Sequence, residues 1–556
     1  MLKAVPLHSI LFGVLPVLCA YSSLVAYLLP EELVLPLIVS LVLAIVVLLL
    51  SYACLRNWCR AGIVTSALML MNFSFDAMAA PADRLLSSYG LPHDDRVYLV
   101  PFTLLIFVII YLLLKSKSDY KAVTSCLNIM SLLLVSGNAF YIAWHEYKIS
   151  LTMSKIYQND DRELAAIDLK QVRHSNSSSN SNESPDIYYF ILDAFGRSDT
   201  LKEIYDFDNS SFIDGLEKRG FIVPAGSRSN YQMTCLSLPS SLNMQYLDYL
   251  EPTLGRNSTD YSVLYRLIQR NKVTSLLKRL GYRYVNVRSG WSPTDYMPNA
   301  DVNVGFAYGN VFHLALLRNT LIGPLQRNFD FLGWAARQVR LYGLKNIETI
   351  AQLQFQAQSQ AQLPSQSQSG AQSRSCAAPK FVFVHIVVPH PPFLFNEDGS
   401  TCPLGVISLS DKFEKEKYVA QVKFIQKQVL AMLDQLDKNP RKKVVIIQGD
   451  HGPALQNGSD GNPSPAFLRE RMRILNAYRL PDADSRLIYD GITPVNSFRV
   501  ILNHYFEAKL PLLADKCIYS PNPTPFQFID VTAEVSKDVS KETTLDTPAK
   551  VATDTH

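Results

Sequence analysis

Long apolar runs fill the first 145 residues of the chain, whereas the remaining residues have the composition of an ordinary soluble protein. About 20 apolar residues are enough to cross the hydrocarbon core of a bilayer as a helix. A weaker run at 61–80 contains Asn72 and Asp76, and the four clear runs are residues 5–29, 33–55, 97–114 and 122–144. The sequence therefore predicts an N-terminal transmembrane domain over 1–145, with a bundle of about five helices.

Positive charges beside these runs indicate how the chain crosses the membrane, because cytoplasmic loops carry an excess of Lys and Arg. With five spans and a cytoplasmic N-terminus, the basic residues on the cytoplasmic side are Lys3, Arg56, Arg60, Lys115, Lys117 and Lys121. With four spans, the loop at 115–121 breaks the rule and the large domain falls in the cytoplasm. We therefore expect a multi-pass protein of the inner or plasma membrane. Everything after residue 145 would lie on the extracytoplasmic side, periplasmic or extracellular.

The composition excludes several classes of protein. Hydrophobic residues make up 48% of the chain, which fits neither a disordered chain nor a collagen-like fibre. The net charge is only +4 and no dense basic patch is interleaved with aromatic residues, so we expect no nucleic acid as a partner. The eight cysteines show no CxxC spacing, which disfavours a zinc ribbon. Cys376 and Cys402 flank one predicted strand and loop outside the membrane, where they can form a disulfide or stay reduced.

Polar segments separate the predicted domains. Residues 146–185 form a connecting segment that ends in a Ser- and Asn-rich linker, and 531–556 form a polar tail that we expect to be disordered. The domain between them, 186–530, contains a Gln- and Ser-rich insertion at 353–375. Its short apolar runs are 187–192, 282–287, 381–388 and 444–447.

Runs that are apolar along their whole length suit strands buried on both faces of a sheet. Residues 411–438 instead repeat apolar side chains at three- and four-residue steps, which predicts a helix. The alternation of strands and helices predicts an α/β domain with a mainly parallel central sheet.

Chemically active residues follow three of these strands. Asp193 comes after the first, His390 after the third, and Asp450 and His451 after the fourth. Because the carboxyl ends of parallel strands meet at one edge of a sheet, these side chains can converge there. Taken singly, an Asp after a strand is more often a helix cap, and the turn 449–452 (Gly-Asp-His-Gly) can be a surface turn.

Thr234 lies where a loop enters a predicted helix, in the segment 230–243. A hydroxyl at a helix start lies near free N–H groups and the positive end of the helix dipole. Bound to a divalent cation as well, Thr234 would be an activated nucleophile. Most threonines at such a position only cap the helix, and that alternative stays open. Cys235 and His385 are assigned to the core.

Segments 187–243, 380–395 and 444–453 together resemble the sulfatase-like branch of the alkaline phosphatase superfamily. The chain looks like the lipoteichoic acid synthases and phosphoethanolamine transferases of that branch, which have about five N-terminal helices and an extracytoplasmic catalytic domain. The resemblance implies an alkaline-phosphatase or sulfatase-like fold and a metal-dependent enzyme. It further implies one metal ion held by Asp193, Thr234, Asp450 and His451, with Thr234 as nucleophile. His390 would contact the substrate phosphate or donate a proton to the leaving group.

The implied ligands, three oxygens and one imidazole, suit Mn²⁺ or Zn²⁺, with Mg²⁺ as a further possibility. The implied reaction moves a head group of the phosphoglycerol or phosphoethanolamine type from a phospholipid donor to an envelope glycan or lipid acceptor. It passes through a phospho-threonine intermediate, and the membrane domain holds the enzyme next to its donor.

Departures from the family pattern leave alternatives open. The Cys-x-Pro/Ala-x-Arg motif of the formylglycine sulfatases does not occur at Cys235, which disfavours ordinary sulfate-ester hydrolysis. The synthases place an Arg shortly after a Trp to hold the lipid phosphate, whereas here Arg288 precedes Trp291. These two residues are candidates for substrate binding, with packing at a strand end as the alternative. A phosphodiesterase or sulfuric-ester hydrolase of the same fold, and an envelope protein without activity, are the alternative functions.

Overall fold

The computed structural model describes residues 5–89, 98–167, 184–305, 311–323, 331–353, 378–401, 415–454, 462–482 and 485–537. Within these ranges, six α-helices precede the first strand: α1 (Leu7–Ser23), α2 (Glu31–Leu55), α3 (Trp58–Phe73), α4 (Phe75–Ser88), α5 (Leu99–Lys115) and α6 (Lys121–Ala166). The run at 61–80, which was the weakest candidate span, is divided between α3 and α4 at Ser74.

Helices α2 and α6 are long and apolar enough to cross a membrane, and α1 and α5 are shorter apolar helices. Many large apolar side chains of α2, α5 and α6 are not covered by protein, since Leu50, Phe107 and Leu133 are 62%, 63% and 68% exposed. Exposed apolar surface of this extent is typical of helices surrounded by lipid and not of a soluble core. The helical N-terminal region is confirmed, while the number of five spans stays a prediction.

Helix α6 runs for 46 residues without interruption, so residues 146–166 of the predicted connecting segment are helical. Its second half packs against the α/β domain through ion pairs. The Lys272 Nζ atom lies 3.1 Å from Asp160 Oδ1, and Arg270 Nη2 lies 3.0 Å from Asp161 Oδ2. The long helix therefore continues from the apolar region into direct contact with the domain that follows.

The described strands of that domain form a six-stranded sheet in the order β3-β2-β4-β1-β5-β6, in which only β6 is antiparallel to its neighbour. The strands are β1 (Asp186–Leu192), β2 (Arg283–Val287), β3 (Val302–Val304), β4 (Lys380–Ile386), β5 (Lys443–Gln448) and β6 (Asn476–Arg479). The predicted α/β fold with a mainly parallel sheet is therefore confirmed. A small antiparallel pair, β7 (Ile518–Tyr519) and β8 (Ile529–Asp530), lies outside this sheet.

Helices connect these strands and cover both faces of the sheet. They are α7 (Ser198–Tyr205), α8 (Ser210–Glu217), α9 (Thr234–Asn243), α10 (Glu251–Leu254), α11 (Ser262–Gln269), α12 (Lys272–Arg279), α13 (Ser292–Asp295), α14 (Val311–Arg318), α15 (Phe331–Lys345), α16 (Ile347–Gln352), α17 (Lys415–Leu436), α18 (Pro465–Met472), α19 (Pro494–Phe506) and α20 (Thr532–Ser536). Strand β1 is buried along its whole length. Tyr188 and Phe190 point into the core that contains α17, and Tyr189 points into the core that contains α19. Burial on both faces explains why this strand is apolar throughout.

The start of the polar tail is ordered, which corrects the prediction of disorder from residue 531. Residues 532–536 form α20, and the side chains of Val531 and Val535 are buried against Leu468 and Met472. Two valines spaced four residues apart provide an apolar face that packs against α18. Cys376 and Cys402, most of the Gln- and Ser-rich insertion and most of the polar linker lie outside the described residues.

Candidate metal centre

Three neighbouring strands end at the candidate site. Asp193 follows β1, and His385 is the penultimate residue of β4. Asp450 and His451 follow β5. Because β4, β1 and β5 lie side by side and run parallel, their carboxyl ends place these side chains at one edge of the sheet.

The four residues that the resemblance assigns to the metal lie together. The His451 Nε2 atom is 3.5 Å from both Asp193 Oδ1 and Asp450 Oδ2, and 3.1 Å from Thr234 Oγ1. His385 joins them, with its Nε2 atom 3.4 Å from Asp193 Oδ2. Ligand atoms of Asp193, His385 and Asp450 all lie within 4.8 Å of one another. The site is compact enough for its side chains to share one ion.

Three atoms of this cluster lack hydrogen bonds. Asp193 Oδ1, Asp450 Oδ2 and His385 Nε2 are buried, and none has a hydrogen-bond partner among the described residues. Burying unpaired carboxylate oxygens is costly. A divalent cation would satisfy all three atoms together, and carboxylate oxygens with imidazole nitrogens are the donors that Mn²⁺ and Zn²⁺ bind. The residues present therefore fit a metal ion.

The electrostatics of the cluster favour the protonation states that a metal requires at Asp193 and His451, and oppose ionisation at Asp450. Burial would raise the pKa of Asp193, but His390, His385 and His451 outweigh it and hold this pKa well below its usual range. Burial and the charge of Asp193 raise the pKa of Asp450. Burial and the nearby Arg471 lower the pKa of His451 well below its usual value, so its ring is neutral near pH 7. A neutral imidazole beside an ionised carboxylate is ready to coordinate a cation.

Backbone contacts hold the turn after β5 in place. Asp450 Oδ1 accepts a hydrogen bond from the Ala194 N–H at 3.1 Å. The His451 Nδ1 atom lies 2.9 Å from the Gly452 carbonyl oxygen. Donation from Nδ1 leaves the Nε2 lone pair facing the cluster. A Cβ atom at Gly452 would overlap the Glu470 carbonyl oxygen, so this turn packs too closely for any other residue.

Thr234 is the first residue of α9, and Met233 occupies the N-cap position. The structure therefore does not place Thr234 at the N-cap, which is the alternative role that the sequence leaves open. Its hydroxyl points to His451 at the start of the helix, where free N–H groups favour a negatively charged oxygen or a phosphate. Thr234 is partly accessible, whereas residues 235–243 are buried.

His390 lies at the edge of the cluster. Its ring centroid is 6.1 Å from that of His451, and its backbone N–H donates to the Asp193 carbonyl at 3.1 Å. The His390 Nδ1 atom lies 2.6 Å from the Pro391 carbonyl oxygen, so donation there leaves Nε2 available. The Arg340 guanidinium binds the carbonyl oxygens of His390 and Pro392 at 3.2 and 3.1 Å and fixes the segment that carries the ring.

Arg288 and Trp291, the two candidates for substrate binding, are engaged within the protein. Arg288 forms an ion pair with Asp295. The Trp291 ring packs edge-on against His385, with centroids 5.5 Å apart, and against Tyr265 at 5.9 Å. These contacts fit the alternative in which both residues pack at a strand end. A role for Arg288 or Trp291 in substrate binding stays a prediction.

Sequence reasoning missed two residues of the centre. His385 was assigned to the core; it is buried, yet its ring also faces Asp193. A polar residue near the carboxyl end of an apolar strand was the available signal. Arg471 donates to the Gly452 carbonyl at 2.7 Å and places a partly buried positive charge near Asp193 and Asp450. It lies in α18, far along the chain, and no local pattern marks it.

A family model supplies the deciding observation. The Sulfatase model matches residues 185–479 of the chain, a range that includes every residue of the centre described above. The chain belongs to the sulfatase family. It is therefore a sulfatase-like enzyme, a phosphotransferase or hydrolase of a metal-dependent fold, as the sequence resemblance implied.

The chain is also similar to several solved structures. One is the integral membrane protein lipooligosaccharide phosphoethanolamine transferase A from Neisseria meningitidis, with 12% identity, a TM-score of 0.35, and coverage of 91% of this chain and 96% of that chain. Another is the C-terminal periplasmic domain of EcEptC from Escherichia coli, with 11% identity, a TM-score of 0.38, and coverage of 64% of this chain and 94% of that chain. No curated protein matches the chain.

Proposed function

We propose that this sulfatase-family enzyme is a membrane-anchored phosphotransferase. It moves a phospholipid head group, of the phosphoglycerol or phosphoethanolamine type, to an envelope glycan or lipid. The observation that carries this proposal is the position of the Thr234 hydroxyl, 3.1 Å from His451 Nε2 at the start of α9 and beside two buried carboxylates. The apolar helices α2 and α6 on the same chain would hold this hydroxyl close to a lipid donor.

Asp193, Thr234, Asp450 and His451 would hold one divalent ion, Mn²⁺ or Zn²⁺ with Mg²⁺ as a further possibility, and His385 lies close enough to join them. When bound, such an ion lowers the pKa of a hydroxyl and neutralises charge on phosphoryl oxygens. The catalytic domain would lie on the extracytoplasmic side, where envelope acceptors are available.

The protein's own residues would carry the transfer in two steps. Thr234 gives up its hydroxyl proton to solvent, and Oγ1 forms a bond to the phosphorus of the lipid. The bond from phosphorus to the diacylglycerol oxygen breaks, and that oxygen takes a proton from His390. A hydroxyl of the acceptor then gives its proton to His390 and displaces the Thr234 oxygen, which regains a proton from solvent. Water in place of this acceptor would make the same site a phosphodiesterase.

Cys235 does not support the sulfuric-ester alternative. The side chain is buried, and burial raises the pKa of its thiol to about 12. A thiol in that state is not a nucleophile near neutral pH, and the Cys-x-Pro/Ala-x-Arg motif of the formylglycine sulfatases does not occur at Cys235. Five polar residues from four separate segments converge at this site: Asp193, Thr234, His385, Asp450 and His451. Burying such a cluster is costly unless it binds an ion or a substrate. The cluster therefore argues against a protein that has lost its activity.

The experiment uses the full chain in detergent with Mn²⁺ and a mixed phospholipid pool, and follows diacylglycerol by mass spectrometry. We expect diacylglycerol from the wild type and from Thr253→Ala, which removes an exposed hydroxyl on α10, and none from Thr234→Ala. The lipid consumed would identify the head group. Failure of the wild type to release diacylglycerol would overturn the transferase proposal.

A further inference from the structure

We propose that Thr294 is a positioning residue for His385, which it holds in the tautomer whose Nε2 atom can bind the metal ion. This inference rests on the metal site of the proposed function and extends it to His385. The His385 Nδ1 atom lies 2.8 Å from Thr294 Oγ1. On the other side of the ring, Nε2 faces Asp193. His385 and Thr294 are almost inaccessible to solvent, with 2% and 0% exposure, so water does not compete for hydrogen bonds to the His385 ring.

A chain of hydroxyl groups continues from Thr294. Its Oγ1 atom lies 2.8 Å from Ser289 Oγ, and Ser289 Oγ lies 3.2 Å from the Trp291 carbonyl oxygen. A carbonyl oxygen can only accept hydrogen bonds. A cation at Nε2 takes the lone pair there, so the ring hydrogen lies on Nδ1, and Thr294 Oγ1 is the acceptor that faces it. Thr294 in turn can donate to Ser289 Oγ at 2.8 Å or to the Trp291 carbonyl oxygen at 3.4 Å.

The consequence for His385 follows from the chemistry of imidazole. A neutral ring carries one N–H, so donation from Nδ1 leaves a lone pair on Nε2. That lone pair faces the carboxylates of Asp193 and Asp450, where a cation would lie. Histidines that bind metals commonly donate their other ring N–H to a fixed acceptor, and loss of that acceptor lowers metal affinity by about 10–100-fold.

The segment that carries Thr294 is itself held in place. The Trp291 carbonyl oxygen accepts hydrogen bonds from the N–H groups of Thr294 and Asp295 at 2.9 and 2.8 Å. The Trp291 ring packs edge-on against His385. Ser292 Oγ donates to Glu32 Oε2 at 2.7 Å, which ties the same segment to helix α2. The hydroxyl of Thr294 is therefore presented to His385 by a rigid turn.

The test compares Thr294→Val, which keeps the shape and removes the hydroxyl, with Thr294→Ser, which keeps the hydroxyl. Affinity for Zn²⁺ and Mn²⁺ is measured on the full chain in detergent by competition with a chelator. We expect Thr294→Val to weaken binding about 10–100-fold and Thr294→Ser to bind within about threefold of the wild type. A Thr294→Val protein that binds as tightly as the wild type would overturn the inference.

A double-mutant cycle with His385→Ala separates positioning from general damage. If Thr294 acts through His385, Thr294→Val should not weaken binding further in the His385→Ala background. An equal loss in both backgrounds would show that Thr294 only supports the fold. If Thr294→Val does not fold, Thr294→Ala replaces it in the same cycle. A wild-type chain that binds no metal would refute the proposed function itself, which is a different outcome from equal binding by the variant.

Discussion

The Oγ1 atom of Thr234 lies 3.1 Å from the Nε2 atom of His451, although 217 positions of sequence separate the two residues. Thr234 comes from the first turn of α9, and His451 comes from the turn after β5. Their contact brings the free N–H groups of a helix start to an edge of the sheet that carries two carboxylates. An anionic oxygen at this point is stabilised from both sides, by the helix dipole and by any cation that the carboxylates hold.

Asp450→Asn should raise the thermal stability of the metal-free protein and remove the stability that the wild type gains from metal. In the metal-free protein it removes one of two like charges that are buried together, and the amide oxygen can still accept from the Ala194 N–H, so the melting temperature should rise. Metal binding at 100 times Kd should stabilise the wild type by about 2.7 kcal/mol, and this gain should disappear in the variant. Thermal unfolding with and without a chelator measures both effects. A variant that still gains stability from Mn²⁺ like the wild type would refute the assignment of Asp450 as a ligand.

His390→Gln should separate chemistry from metal binding. His390 lies beside the cluster but hydrogen-bonds through its own backbone and Nδ1 atoms, so its loss should leave Mn²⁺ affinity nearly unchanged. Loss of a general acid lowers rates by about 10²–10⁴-fold. Diacylglycerol release and chelator competition on the same preparation test the two expectations. A large drop in metal affinity with little change in rate would assign His390 to the metal instead.

Gly452→Ala should damage the centre without touching a ligand. The added Cβ atom would overlap the Glu470 carbonyl oxygen, and overpacking of this kind costs about 1–3 kcal/mol. Because the turn carries Asp450 and His451, we expect metal affinity to fall along with stability. Gly137→Ala is the control, since no described atom beyond the neighbouring backbone of α6 lies within 4 Å of its Cβ position. Equal metal affinity in both variants would show that the close packing of the turn is not needed.

Lys272→Met should loosen the attachment of α6 to the catalytic domain. Lys272 is buried and its Nζ atom contacts Asp160 and Gln245 at 3.1 and 2.7 Å. Because Asp160 is largely buried while a further partner, Glu163, is exposed, the loss should exceed the ~0–1 kcal/mol of an exposed ion pair and stay below the ~3–5 kcal/mol of a fully buried one. The exposed pair of Arg219 and Asp434 provides the comparison, because Arg219→Ala should cost less than about 1 kcal/mol. Denaturant unfolding of both variants gives the difference, and equal costs would contradict a structural role for Lys272.

Several features of the fold were predictable because their signals are local. The runs at 187–192 and 444–447 are apolar at every position, and the structure has them as β1 and β5, buried on both faces. The helix predicted at 411–438 corresponds to α17, because apolar residues at three- and four-residue steps define one buried face. The ordered start of the tail was not predictable in this way. Val531 and Val535 stand in a polar segment, and only α18 together with Cys517 and Tyr519 gives them a surface to pack against.

By itself, the sequence determined the apolar N-terminal helices, the α/β domain and the presence of Asp193, Thr234, Asp450 and His451 at element ends. These properties depend on periodicity and on residue types within a few positions of one another. The tertiary structure decided that the His385 ring faces Asp193 and that Arg471 donates to the Gly452 carbonyl, next to His451. It also decided that Arg288 is paired with Asp295. Those relationships depend on which strands become neighbours and on how closely distant segments approach, and the order of strands in the sheet is not written in any local pattern.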